Sequence, residues 1–72
     1  MNIRQRLAEI ACELKEEKGL SYEDFRANSS LTNKQISCIL SGRKGVSIDK
    51  IEEVFADVFE EDLVIVLSRN LN

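Results

Sequence analysis

The stretch Leu31-Thr-Asn-Lys-Gln-Ile-Ser-Cys-Ile-Leu-Ser-Gly42 carries its own start, inner face and stop. Thr32 is a favoured N-cap, because its hydroxyl can accept from an unpaired amide of the first helical turn. Gln35, three residues on, can reach back to the amide of the cap. Ile36, Ile39 and Leu40 recur at helical steps and give one apolar face, and Gly42 can take the left-handed conformation that closes a helix. A helix is therefore expected from about Asn33 to Ser41.

The charge around this helix is anomalous. Between Asp24 and Asp49 there is no acidic residue, and the 24 residues in between hold Arg26, Lys34, Arg43 and Lys44, a local +4. The remaining residues, with six bases and 13 acids, carry −7, so a basic segment sits within a chain of net charge −3 and pI near 4.9. Duplex DNA attracts cations and repels carboxylates, so a locally basic helix on an acidic body suits a small DNA reader. The seven acids from Asp49 to Asp62 read as a solvated outer face that favours solubility.

Upstream, Ile3, Leu7, Ile10, Ala11 and Leu14 fall on one face of an amphipathic helix expected over about Asn2 to Lys18. Gly19 ends it, with Lys15 and Lys18 in its last turn favouring the negative end of the helix dipole. Ser21 and Asp24 have the spacing of a second capping box, opening a short helix from about Tyr22 to Asn28 that Phe25 anchors. Asn28-Ser29-Ser30 is a turn of short polar residues. Downstream, Arg43-Lys44-Gly45-Val46 is a loop, and Ser47 caps a fourth helix whose Ile48, Ile51, Val54, Phe55 and Val58 share a face. The chain contains no proline to interrupt any of these helices.

Leu63-Val-Ile-Val-Leu67 has a different texture, a continuous apolar run with three β-branched residues. It reads as a strand buried on both faces, although periodicity alone also admits a continuing helix. A lone strand leaves its backbone unpaired, so this one is expected to pair with the same strand of a second copy. Leu63, Val64, Ile65, Val66 and Leu67 are then the dimer interface, within a dimerisation segment of about 60–70.

Composition excludes several classes of function. A chain of 72 residues is one domain and can bury about 60% of its unfolded surface, enough for a core but not for a deep substrate pocket. No run reaches the roughly 18 apolar residues of a membrane span, and Arg4, Arg6 and Glu9 interrupt any signal-peptide core, so a cytoplasmic protein is expected. There is no histidine, and the two cysteines, Cys12 and Cys38, are far apart, so no metal and no cofactor is expected. Both read as free thiols, Cys12 as core filler and Cys38 as partly exposed. With no histidine, no nucleophile elbow and no glycine-rich phosphate loop, the chain reads as a non-enzyme without a small-molecule substrate.

Two short helices joined by a turn, the second basic and polar outside, form a helix-turn-helix over residues 21–42, a motif whose second helix fits the major groove. In this motif the first helix is expected to offer its N-terminal amides to the phosphates. Leu20 to Lys44 resembles the Xre/Cro-type repressors of phages and bacteria without gaps, in the pattern of a capped helix, a turn and a recognition helix ending in Gly plus a basic residue. Val46-Ser-Ile-Asp-Lys-Ile-Glu-Glu-Val-Phe-Ala56 resembles the family's next helix, so the likeness covers about Leu20 to Val58. Three positions depart from the family pattern. Tyr22 stands where Gln usually contacts a phosphate, Arg26 where a small Ala faces the third helix, and Ser30 where Gly sits in the turn.

The resemblance implies an all-α, four-helix, lambda-repressor-like domain, with the C-terminal strand added for dimerisation. It places Asn33, Lys34, Ser37 and Cys38 on the groove. Lys34 can donate to guanine, Asn33 can pair with adenine, Ser37 is a smaller reader, and Cys38 offers apolar contact to a thymine methyl. Tyr22, Thr32, Ser41, Arg43 and Lys44 look like phosphate contacts, together with Gln35, which is shared between cap and groove. The expected function is a homodimeric repressor reading a palindromic operator in double-stranded DNA. The alternatives are a protein-binding inhibitor, or an antitoxin that contacts both DNA and a protein partner.

Overall fold

A computed structural model describes residues 3–69. These form five helices: α1 Ile3–Lys18, α2 Tyr22–Ala27, α3 Asn33–Ser41, α4 Ile48–Asp57 and α5 Leu63–Arg69. The expected start of the first helix at Asn2 and the end of the 60–70 segment at Asn70 lie outside the described residues.

Caps set the helix boundaries. The Ser21 hydroxyl accepts from the Asp24 amide at 3.3 Å while the Asp24 carboxylate accepts from the Ser21 amide at 2.8 Å. Thr32 and Gln35 repeat the arrangement at 3.2 and 2.9 Å, and the Ser47 hydroxyl accepts from the Lys50 amide at 3.1 Å. Each cap satisfies amides that the first turn leaves unpaired. Gly42 closes α3 at φ 77°, and a Cβ there would lie 3.0 Å from the Gln5 Cα of α1, so this position needs glycine for its backbone angle and for its space. The Asn28–Leu31 turn needs no left-handed residue: Ser30 is not in that region, and the Ser29 hydroxyl donates to the Phe25 carbonyl.

The core gathers side chains from every helix. Leu7, Ile10 and Ala11 of α1 meet Phe25, Ile36 and Ile39, while Ile51, Val54 and Phe55 close the other side. Phe59 stands edge-on to both Phe25 and Phe55, with ring centroids 5.4 and 5.1 Å away. Such edge-to-face pairs add about 0.5–1.5 kcal/mol beyond the area they bury.

The carboxyl segment corrects the expected strand. Leu63 to Leu67 is the beginning of a fifth helix, so the four-helix expectation also gives way to five. The Asp62 carboxylate accepts from the amides of Val64 and Ile65 at 2.9 and 3.3 Å, and the Asp62 carbonyl accepts from the Val66 amide at 2.9 Å. Leu63 and Val66 are buried at helical spacing, whereas Val64 and Ile65 are 66% and 56% exposed. A helix satisfies its own backbone, so the need for a partner strand disappears. Glu60, with φ 56°, turns the chain between α4 and α5.

The cysteines also reverse their expected roles. Cys38 is buried and Cys12 is exposed, its thiol donating to the Leu40 carbonyl at 3.3 Å.

Candidate nucleic-acid interface

Helices α2 and α3 are separated by five residues and pack through the buried Phe25, Leu31 and Ile36. Their outer surfaces, continued by the loop after Gly42, carry the basic segment. Arg26, Lys34, Arg43 and Lys44 are all exposed. Among the described residues Arg6 pairs with Glu9 at 3.1 Å and Lys50 with Glu53 at 3.5 Å, and neither pair involves these four cations. The first turn of α3 contains no acid. A cation without a protein carboxylate beside it keeps its charge for an external anion.

The expected base readers do not all reach the surface. Asn33 and Lys34 are exposed in the first turn of α3, and Ser37 is half-buried one turn on. Cys38 is 9% exposed, and a Cβ placed on Gly45 would stand 2.5 Å from its sulfur. The loop of Arg43 to Val46 therefore folds over Cys38 and takes it out of the groove-facing set. That loop is tied down from the other side by the Arg4 guanidinium, which donates to the Val46 carbonyl.

The expected phosphate contacts divide by what their polar atoms already do. Arg43 and Lys44 are exposed on the loop, and Tyr22 is 37% exposed at the start of α2. The side-chain oxygens of Thr32 and Gln35 accept within the α3 capping box, which leaves the Thr32 hydroxyl proton and the Gln35 amide nitrogen as donors. The Ser41 hydroxyl donates to the Ser37 carbonyl at 2.7 Å, so its proton is committed within the helix. At the start of α2 the capping box engages the amides of Ser21 and Asp24, and Glu23 and Asp24 lie in the first turn. Two carboxylates there disfavour an anion at the α2 amides, and the Tyr22 side chain is exposed beside them.

Arg26 is the surface residue that sequence reasoning undervalued. It points outward, and its guanidinium donates to Asn33 Oδ1 across the junction of α2 and α3. The available signal was its neighbour Phe25: adjacent helical residues point about 100° apart, so a residue beside the main core anchor can reach solvent.

Among the described residues no group of three or more His, Cys, Asp or Glu side chains is disposed to hold a metal ion, and no helix is long and apolar enough to cross a membrane. No family model, no curated protein and no solved structure matches the chain.

Proposed function

We propose that the protein is a sequence-specific DNA-binding transcriptional regulator built on a lambda-repressor-like helix-turn-helix, with α3 as the recognition helix. The observation that carries this reading is the acid-free stretch of residues 25–48, the end of α2, all of α3 and the following loop, whose four exposed cations form no ion pair among the described residues, on a chain whose remaining residues sum to −7. Asn33, Lys34 and Ser37 face the bases, while Arg43, Lys44 and Tyr22 hold phosphates and fix the register. One basic surface of four charges is a small electrostatic footprint, and a two-fold dimer doubles it across successive major grooves about 34 Å apart. Val64 and Ile65, the exposed apolar pair of α5, are the contact for that second copy, helix against helix. Bound over a promoter, such a dimer represses by occlusion.

The test is retention of a random duplex pool as salt is raised. The reading expects binding at low salt that falls steeply with salt, weakened in the Lys34→Ala Arg43→Ala double variant. No retention at low salt, with no effect of the double variant, overturns it.

The exposed pair on α5 also supports a rival, a protein-binding inhibitor or antitoxin. Separately, a groove between α4 and α5 is lined by Glu52, Glu53, Asp57, Glu61 and Asp62 with Ala56 and Leu63, a surface with the chemistry to accept a basic segment of another protein. Loss of all duplex binding, with the fold intact, favours the inhibitor, whereas an antitoxin binds duplex and a protein partner alike.

A further inference from the structure

Arg26 and Asn33 are seven positions apart in sequence, and the guanidinium of the first donates to the side-chain oxygen of the second. The chemistry of the pair decides how the Asn33 amide sits. A guanidinium has five N–H donors and no acceptor, so the atom facing it is the oxygen, and Nδ2 with its two N–H groups is turned away. Both side chains are exposed.

An unconstrained asparagine reads adenine, accepting from the N6 amino group with its oxygen while donating to N7. Held by Arg26, Asn33 would have to share that oxygen between adenine's amino group and a cation. The amino group, itself a donor, would also face a positive charge. Guanine has no such conflict, because its N7 and O6 are both acceptors. The pair offers them donors alone, Nδ2 from Asn33 and the remaining N–H groups of Arg26.

We infer that Arg26 is a specificity-determining residue which, by holding the Asn33 oxygen, turns Asn33 from an adenine reader into part of a guanine-reading unit. This rests on the DNA reading above and revises the base expected opposite Asn33. Arg26 both positions Asn33 and adds donors of its own, so its signature is a change in which base is chosen, beyond any change in overall affinity.

The experiment is selection of bound duplexes from a random library with the full chain, comparing wild type, Arg26→Met and Arg26→Lys. Asn33→Ala identifies the operator position that Asn33 reads, as the position whose preference it erases. Wild type is expected to choose guanine there. Arg26→Met, of similar length and without donors, moves the choice to adenine, changing the guanine-to-adenine ratio by about tenfold. Arg26→Lys, still a donor-only cation, keeps guanine, and the other operator positions are unchanged in all three proteins. If Arg26→Met retains guanine and loses affinity uniformly, Arg26 is a phosphate contact and the inference is overturned. Adenine chosen by the wild type overturns it as well. A wild-type protein that enriches no sequence overturns the DNA reading itself, an outcome distinct from the other two because those require enrichment.

Discussion

Gly45 lies directly over Cys38: a methyl group added to the glycine would come within 2.5 Å of the sulfur and 3.3 Å of the cysteine Cβ. Gly45→Ala therefore forces the loop or the thiol to move and is expected to cost about 1–3 kcal/mol. In a Cys38→Ala background most of that cost should vanish, since the closest contact has been removed. Urea denaturation of the four proteins of this cycle measures the coupling, and additive losses would contradict the contact.

The same contact separates the reactivity of the two thiols. Cys12 is exposed and Cys38 buried, so a thiol reagent added to the native protein should modify one cysteine quickly and the second only as the fold opens. Mass spectrometry of a partially labelled sample is expected to place the label on Cys12. Equal rates at both positions would show that the loop does not cover Cys38.

Glu60 has a φ of 56° between α4 and α5, a region that disfavours any residue with a Cβ. Glu60→Gly relieves about 1–2 kcal/mol of that cost and gives back part of it as unfolded-state entropy. A net gain of about 0.5–1 kcal/mol is expected, seen as a rise of a few degrees in thermal midpoint. A fall in the midpoint would refute the conformational assignment.

On the proposed DNA face, Lys34 and Arg43 should fail in different ways. Lys34→Ala is expected to relax discrimination at one base pair by about 1–3 kcal/mol, while Arg43→Ala weakens all sequences alike and lowers the salt slope by about one. Titrations against matched and mismatched duplexes at several salt concentrations distinguish the two. Identical profiles would remove the division between base reader and phosphate contact.

On α5, neighbouring residues should also part company. Ile65 is 56% exposed and Val66 2% exposed. Ile65→Asp is expected to leave the fold intact but yield monomers in ultracentrifugation with reduced operator affinity, whereas Val66→Ala costs about 2 kcal/mol of stability. Wild-type chain that stays monomeric at high concentration would end the dimer proposal.

Local chemistry made much of this fold legible. The Ser21, Thr32 and Ser47 caps and the apolar steps of α1, α3 and α4 depend on residues three or four apart, and each helix forms close to where those signals place it. The misreadings have separate origins. At Leu63 to Leu67 the run of β-branched residues favoured a strand, while a single carboxylate, Asp62, caps a helix there. Cys38 disappears beneath a loop that returns over it, a long-range event that periodicity along α3 does not record. Arg26 was weighed by the small residue that the resembled family places at its position, and not by the room beside Phe25. The exposure of Asn33 and Lys34 on a capped helix, and of Arg43 and Lys44 on the loop after it, was readable because it is a local property.

The missing Cβ of Gly42 brings the end of α3 against the backbone of α1 at Gln5. The orientation of α3 is therefore set from inside the protein before any ligand arrives. On the proposed function, the DNA must conform to a rigid reading head, and stiff or poorly bendable operators should be discriminated against even where every contacted base is correct. Divergence to a new target would proceed by exchanging the residues at 26, 33, 34 and 37, leaving the packed scaffold beneath them unaltered.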